Sequence, residues 1–423
     1  MHFSQHTLPS GLRVVTIPEQ DAMATTVLVL VETGSKYETG RINGISHFLE
    51  HLCFKGTTNR PRAIDISAEL DSLGSQYNAF TSHEYTGYYA KVQPRHTYKA
   101  LEIVADLYLN PTFDAAEIEK EKGVIIEEIN MYEDMPHRKV GELFMQCLYG
   151  NQPAGWPIAG TPELIRAMTR EDVVAYRNAN YVAPATLVVV AGKFDEDEMK
   201  REIDKAFGGL EIGKKDTKLP VVDTQDKPRV VLEEKASDQT HLVLGVRSLP
   251  LMHPDNFVLE VIAGILGGGM SSRLFEKVRE ELGAAYYVRA NNDAYTDHGI
   301  FEISAGVDHR KLEMVITAAL GEMKRLTKEL VGDKELQKVK DSLVGNLYLS
   351  LEKSDEIATY YGGQEILKRE MLSPEAVAER TQAVTAADVM RVASQIFVTN
   401  HLNLAMIGPF KDEERFVKLL DLS

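Results

Sequence analysis

The sequence predicts an α+β protein of two homologous domains, each a mostly antiparallel sheet packed with helices, joined by an extended linker. Strand-length apolar runs alternate with helical stretches along both halves of the chain. One segment recurs at an offset of 216 residues, and a polar, proline-containing stretch lies between its two copies. A chain of 423 residues has room for two domains of about 200 residues each.

The repeat comprises residues 169–198 and 385–414. Thr169 and Asp172 of the first copy recur as Thr385 and Asp388 of the second copy. Each copy is typical of a helix followed by an apolar strand, a glycine and an acidic helix start. Because this period is too long for a solenoid, it indicates a duplicated domain.

The predicted N-terminal domain spans residues 1–212, and the predicted C-terminal domain spans residues 229–423. Residues 213–228 are polar, contain Pro220 and Pro228, and lack strong helical periodicity, which predicts the extended linker.

Apolar and β-branched runs predict the strands, and a period near 3.6 predicts the helices. The predicted strands are 12–17, 25–31, 85–92 and 186–191 in the first half, and 229–233, 241–246 and 299–307 in the second. The predicted helices are 42–53, 97–109, 115–132, 257–266 and 311–330. A hairpin is expected around residues 78–92, which favours antiparallel pairing.

Composition and charge exclude several classes of protein. With 47 Lys and Arg against 63 Asp and Glu, the net charge is −16, which argues against nucleic-acid binding and suits a basic peptide. No apolar run approaches the roughly 18 residues that a membrane span needs. The N-terminal segment lacks the basic and apolar regions of a secretory signal, and two cysteines form no disulfide framework. We therefore expect a cytoplasmic location.

The segment GISHFLEHLCF, residues 44–54, carries the pattern H-x-x-E-H. On a helix, His47 and His51 lie one turn apart on one face, where both imidazoles can reach one tetrahedral metal. Glu50 projects beside them and is placed to take a proton from water, as in order-inverted zincins. The alternative is a buried histidine pair that binds no metal.

A second acidic helix offers a third ligand. In residues 117–134, Glu121 and Glu128 are seven residues apart and so share one helix face. Glu128 can complete a His-His-Glu site with an open position for water, with Glu121 behind it as a supporting group. The alternative is an acidic face exposed to solvent. A purely structural zinc site is disfavoured because it usually has four protein ligands.

These motifs resemble the pitrilysin, insulysin and mitochondrial processing peptidase family. The stretch GRINGISHFLEHLCFKGTTNR resembles the family signature, in which a glutamate ligand follows H-x-x-E-H after 76 residues; here residues 52–127 separate the motif from Glu128. The resemblance implies one zinc ion per chain, held by His47, His51 and Glu128. It further implies that Glu50 is the catalytic base and that Glu121 is an additional acidic catalytic residue.

Two further segments resemble substrate-contacting parts of this family. Residues 75–84 are similar to its N-A-x-T strand beside the zinc, which implies that Asn78 and Ala79 contact an extended peptide. Residues 267–288 lack the phosphate-loop pattern but resemble a family segment whose arginine and tyrosine reach the catalytic site. The resemblance thus implies that Arg279 and Tyr286 are donors to the substrate carbonyl.

The second copy has no histidine between His253 and His298, so we expect it to lack a metal site and to contact substrate. The sequence therefore predicts a zinc metalloendopeptidase for unfolded or extended peptides. By resemblance, two-domain chains pair into a closed chamber, which implies a homodimer or a heterodimer with a related chain. The alternative is a subunit of a peptidase complex that is inactive alone or serves as a structural or substrate-binding partner.

Overall fold

The computed structural model describes residues 2–423; Met1, the first residue of the predicted N-terminal domain, lies outside it. The strands are β1 Ser4–Thr7, β2 Arg13–Pro18, β3 Thr25–Val31, β4 Gln76–Thr81, β5 Thr86–Val92, β6 Thr186–Gly192, β7 Arg229–Glu234, β8 Thr240–Ser248, β9 Ala285–Ala294, β10 Gly299–Val307 and β11 Asn403–Gly408.

The helices are α1 Ile45–Cys53, α2 Ala63–Ser72, α3 Thr97–Leu109, α4 Ala115–Glu133, α5 Pro136–Tyr149, α6 Pro162–Ala167, α7 Arg170–Asn180, α8 Glu196–Phe207, α9 Asn256–Gly267, α10 Leu312–Lys328, α11 Asp333–Ser350, α12 Ser354–Lys368, α13 Pro374–Ala383, α14 Ala386–Ile396 and α15 Glu413–Val417. Among the described residues, no helix combines the length and the apolar character that crossing a bilayer requires.

The chain folds into two compact units, each with its own sheet and core. The first unit consists of residues 2–130, Pro157–Leu219 and Tyr348–Ser373; the second consists of Met131–Trp156, Pro220–Leu347 and Pro374–Ser423. Strand order is β1-β2-β6-β3-β5-β4 in the first sheet and β7-β11-β8-β10-β9 in the second. Only the β2–β6 and β7–β11 pairs are parallel within these sheets, so the predicted mostly antiparallel α+β fold is confirmed.

In the first sheet, the two central strands carry no polar face. Every residue of β3 and β6 is buried, because helices cover both faces of the sheet. α3 packs on β3 and β5, and α12 packs on β3 and β6. The arrangement leaves β4 at the edge, hydrogen-bonded to β5 on one side.

The duplication is visible in the strand order and in the helix caps. β2, β6, β3, β5 and β4 correspond in order to β7, β11, β8, β10 and β9. Thr169 and Thr385 each begin a repeated helix, and their hydroxyls accept from the backbone N–H groups of Asp172 and Asp388. The carboxylates of Asp172 and Asp388 in turn accept hydrogen bonds from the backbone N–H groups of Thr169 and Thr385, which completes a capping box in each copy.

Each unit borrows one helix from the other half of the chain. α12 follows the second sheet in sequence but packs on the first, where Gly362 lies close to Leu30 and Val189. α5 precedes the linker but packs on β8 and β11 of the second sheet through residues such as Phe144. The compact units are therefore discontinuous in sequence, whereas the predicted boundaries at residues 212 and 229 follow chain order and stay a prediction.

Candidate metal centre

The helix that carries the H-x-x-E-H motif is fixed at its N-terminus by a buried glutamate. Glu38 is 3% exposed, and its carboxylate accepts hydrogen bonds from the backbone N–H groups of Gly44 and Ser46, both at 2.8 Å. Gly44 has φ +98°, and a Cβ there would lie 2.6 Å from the Ala159 carbonyl oxygen, so glycine is required. These contacts satisfy two of the free N–H groups at the start of α1.

One face of α1 is packed into the core, and the other presents the motif. Phe48, Leu49 and Leu52 are 1% exposed or less. His47 and His51 lie one turn apart on the opposite side, with their ring centroids 4.6 Å apart. The buried apolar face holds the helix in place and thereby fixes the direction in which both imidazoles point.

Glu128 on α4 reaches the two histidines. Its Oε2 atom lies 3.8 Å from Nε2 of His47 and 3.5 Å from Nε2 of His51. Within residues 2–423 these three side chains form the one group of histidine, cysteine or acidic residues whose ligand atoms all lie within 4.8 Å of one another. The predicted trio is therefore brought together.

The separations between these atoms fit a shared metal ion better than direct hydrogen bonds. Hydrogen bonds between nitrogen and oxygen span about 2.7–3.2 Å, and both distances to Glu128 are longer. Ligands bound at about 2.0–2.2 Å around a tetrahedral zinc ion lie roughly 3.3–3.6 Å apart. The imidazole and carboxylate donors are also a set that zinc accepts.

Glu121 holds His51 in the orientation that a metal ligand needs. His51 Nδ1 lies 2.8 Å from Glu121 Oε1, so Nδ1–H donates to this carboxylate and Nε2 faces Glu128. Lys55 Nζ lies 2.7 Å from the other Glu121 oxygen. Although burial opposes ionisation, the bonds from His51 and Lys55 lower the pKa of Glu121.

The pKa values of the two histidines are shifted in opposite directions. Burial, together with the nearby His51, lowers the pKa of His47 to about 4. Burial disfavours the charged form of His51 as well, but its bond to Glu121 and the surrounding carboxylates raise its pKa overall. His47 Nδ1 is buried and has no hydrogen-bond partner in the described part of the chain. A neutral His47 imidazole with Nε2 facing Glu128 suits metal binding.

Glu50 lies on the same helix and contacts the edge strand. It is 9% exposed, and its Oε2 accepts a hydrogen bond of 2.6 Å from the hydroxyl of Thr81 in β4. Burial raises the pKa of Glu50, and the bond from Thr81 acts in the opposite direction. A buried carboxylate beside a metal-binding trio can act as a general base.

Asn78 and Ala79 lie in β4. Ala79 is 8% exposed and belongs to the core, whereas Asn78 is exposed. Because β4 is the edge strand of its sheet, its outer backbone groups are available to an added strand. The contact of Asn78 and Ala79 with substrate stays a prediction.

Arg279 and Tyr286 lie side by side in the second unit. Arg279 Nη1 donates to the Tyr286 carbonyl oxygen at 3.1 Å, and the guanidinium lies 5.8 Å from the Tyr286 ring centroid. Tyr286 is 74% exposed, so its phenol is free of the core of that unit. The role predicted for this pair remains a prediction.

Sequence reasoning did not identify Glu38, Lys55 or Thr81 as parts of the site. Thr81 acts through a hydrogen bond to Glu50, which is 31 residues away, whereas Glu38 bonds to backbone groups six and eight residues further along the chain. Thr81 lies in the N-A-x-T stretch, so its position in the sequence was a usable signal. No sequence signal indicated Glu38 or Lys55.

Comparison with known proteins identifies related families over both halves of the chain. Residues 13–162 match the family described as insulinase (peptidase family M16), and residues 167–343 match the peptidase M16 inactive domain. The uncharacterized zinc protease YmxG of Bacillus subtilis is 36% identical over 96% of this chain and 98% of its own length. An uncharacterized zinc protease of Rickettsia felis is also 36% identical, over 96% and 98% of the two chains.

Solved structures share the fold. A protease from Helicobacter pylori aligns with a TM-score of 0.90 and 23% identity, over 96% of this chain and 99% of that chain. A chain of complex III2 from Candida albicans aligns with a TM-score of 0.85 and 18% identity, over 99% of both chains. At these identities the likeness concerns the fold.

Proposed function

Because the chain belongs to peptidase family M16, the insulinase family, we propose that it is a zinc-dependent endopeptidase that cleaves unfolded or extended peptides. The observation that carries this proposal is the convergence of His47, His51 and Glu128, with Glu50 on the same helix. Two imidazoles and one carboxylate leave a fourth position open, which is typical of catalytic zinc sites.

His47, His51 and Glu128 would hold one zinc ion per chain. When bound, zinc supplies a Lewis acid that polarises the scissile carbonyl and makes water more acidic. Glu121 keeps His51 in the tautomer whose Nε2 is free for the metal. Lys55 in turn fixes Glu121, so the ligand geometry is prepared before the peptide arrives.

Glu50 would carry the proton through the reaction. Its carboxylate takes a proton from water as the water oxygen attacks the peptide carbonyl carbon. The protonated side chain then gives that proton to the nitrogen of the leaving amine as the C–N bond breaks. The products are a new carboxyl terminus and a new amino terminus, and Glu50 returns to its ionised form.

The substrate would bind as an added strand along β4. Extended peptides that pair with a sheet edge are held through main-chain hydrogen bonds and so with little dependence on sequence. Asn78 and Ala79 then lie along the bound peptide. Arg279 and Tyr286 would donate hydrogen bonds to the substrate carbonyl and its developing negative charge.

We further propose that the chain works as a homodimer or with a related chain, in a chamber that admits peptides and excludes folded proteins. The cytoplasm is the proposed compartment, since Cys53 and Cys147 are free and buried. Sedimentation measures the oligomeric state of the purified chain, both alone and together with any related chain that co-purifies with it.

The decisive test compares the wild-type chain with Glu50→Gln. We expect about one zinc per chain in both proteins, and a loss of about 10²- to 10⁴-fold in peptide cleavage in the variant. Cleavage is followed by mass spectrometry of a mixed peptide library, with and without chelator. Glu127→Gln is the matched control, because Glu127 is an exposed residue of α4.

Other results would contradict specific parts of the proposal. Full activity in Glu50→Gln would remove Glu50 as the base. Wild-type protein that holds zinc but is inert alone, and becomes active with a related chain, would favour the subunit role. Wild-type protein that binds no zinc would overturn the proposed function.

A further inference from the structure

We propose that Thr81 is a positioning residue that orients the carboxylate of Glu50 for proton transfer. This inference rests on the proposed function and assigns a role to a residue outside the metal-binding trio. Its hydroxyl donates a hydrogen bond of 2.6 Å to Oε2 of Glu50, a short bond of the kind that hydroxyls make to carboxylates. With Oε2 engaged, Oε1 is the oxygen left to receive a proton from water.

The threonine itself is held firmly by its strand. Thr81 is the last residue of β4, and its cross-strand partner is Thr86, the first residue of β5. A β-branched side chain has few rotamers in a strand, so the hydroxyl has little freedom to turn away from Glu50. Glu50 has a longer and more flexible side chain, and the bond restricts the carboxylate rather than the threonine.

The turn that follows Thr81 is tied to the body of the first unit. The backbone N–H groups of Ser35 and Lys36 donate to the carbonyl oxygens of Ser82 and His83 at 3.2 and 2.9 Å. Gly34 lies so close that a Cβ there would sit 2.2 Å from the Ser82 oxygen. This close approach fixes the end of β4 relative to the neighbouring loop.

Buried charges reinforce this attachment. Glu84 is 2% exposed, and its Oε1 lies 3.3 Å from the buried ammonium of Lys36 and 2.6 Å from the half-buried ammonium of Lys218. Breaking either contact would leave a buried charge less well compensated, which is costly. The donor of the Thr81–Glu50 bond is thus anchored on one side by the sheet and on the other by the turn.

The position of Thr81 also connects substrate binding with the base. The proposed peptide pairs with the outer edge of β4, and the same strand carries the hydroxyl that orients Glu50. A peptide added to this edge reduces the motion of β4 and therefore of Thr81. The contribution of Thr81 is accordingly expected in the chemical step rather than in peptide affinity.

The test measures kcat, KM and zinc content for Thr81→Val and Thr81→Ser. Valine keeps the shape of threonine and removes the hydroxyl, so we expect kcat to fall about 10- to 100-fold, with KM and zinc stoichiometry within twofold of wild type. Serine restores the hydroxyl and should recover most of kcat. Thr86→Val is the matched control, because the Thr86 hydroxyl donates a buried hydrogen bond to the Thr33 carbonyl and not to Glu50.

Several outcomes would overturn the role of Thr81. These are an unchanged kcat in Thr81→Val, a change confined to KM, a serine variant as impaired as the valine variant, or an equal loss of kcat in Thr86→Val. If Thr81→Val does not fold, Thr81→Ala compared with Thr81→Ser answers the same question.

A crystal structure of Thr81→Val provides a readout that does not depend on activity. We expect the Glu50 carboxylate to leave its wild-type position or to occupy several rotamers, with His47 and His51 unmoved. An unchanged Glu50 in that structure would overturn the inference. If wild-type protein proves inert, the proposed function fails, and this structural comparison still decides whether Thr81 orients Glu50.

Discussion

The two units place a helix in the same position, but only one of these helices carries the chemistry. α1 packs on the edge strand β4 and on the capped helix α7, and α9 packs on their counterparts β9 and α14. α1 presents two histidines and a glutamate, whereas the ionisable side chain of α9 is the exposed Glu260. Because α9 carries no histidine and still packs in the same place through buried apolar residues, the metal-binding residues are an addition to this framework and not a condition for it.

Corresponding positions in the two sheets also carry different types of residue. Thr25 pairs with Val92 as Thr240 pairs with Val307, so Gly87 of β5 corresponds to Glu302 of β10. The Phe80 ring covers Gly87 so closely that a Cβ there would lie 2.4 Å from it. The duplicated framework therefore accepts an aromatic cover in one copy and a carboxylate in the other.

The largest expected effect comes from Glu128→Gln, which should leave the first unit, like the second, without a complete set of metal ligands. We expect zinc content to fall from about one to near zero per chain and peptide cleavage to fall more than about 100-fold. Circular dichroism should show an intact fold, because α9 occupies the corresponding place without the two histidines. Unfolding of the variant would contradict this comparison; Glu127→Gln serves as the control.

A smaller effect is expected for Glu121→Gln. The amide can still accept the bond from His51, but it loses the charge that Lys55 and His51 compensate. We expect zinc affinity to fall about 10- to 100-fold, measured by competition with a chromogenic chelator. Glu119→Gln, on the exposed face of α4, should bind zinc as wild type does, and equal losses in both variants would refute a specific role.

Glu302 should make the stability of the second unit depend on pH. Burial, reinforced by the nearby Asp293, raises the pKa of Glu302 to about 7. A carboxyl whose folded pKa lies above its unfolded value stabilises the protein at low pH, and this contribution is lost as pH rises through about 7.

The test is the free energy of unfolding of Glu302→Gln relative to wild type. We expect little difference at pH 5 and a more stable variant at pH 8, by on the order of 1–2 kcal/mol. Urea titrations at both pH values measure it. A variant equally stable or less stable than wild type at pH 8 would contradict the assignment.

The smallest expected effects are losses of stability that should be equal in the two copies of the repeat. Thr169→Ala and Thr385→Ala each remove one capping box at the same place in the repeat. We expect each to lower the free energy of unfolding by about 1 kcal/mol. Serine at either position keeps the capping oxygen and should restore stability. A loss in one copy only would show that the two caps are not equivalent.

The sequence predicted most strands and several helices, among them α1, α3, α4, α9 and α10, because their signals are local. The buried runs of β3 and β6 and the repeated capping boxes are examples, and the H-x-x-E-H spacing placed His47 and His51 on one face. Glu128 was identified by its spacing in a family pattern, and the structure brings it to the histidines.

The remaining features depend on tertiary contacts that the sequence does not encode locally. α12 contains two adjacent glycines, which weaken any helix signal, yet Gly362 is what lets it approach the first sheet. Nothing in residues 136–149 indicates that α5 packs on strands more than 90 residues away. Thr81 acts through a hydrogen bond to Glu50, which lies 31 residues earlier in the chain and comes near only once β4 has folded beside α1.

The exchange of α5 and α12 has a consequence for proteolytic nicking. A protease that cuts within residues 213–228 would separate the chain into two halves, each still holding one helix that covers the sheet of the other. Such a nicked molecule should stay interlocked under native conditions and migrate as two fragments only in denaturant. Neither fragment expressed alone would cover both faces of its sheet, so both should be insoluble unless produced together.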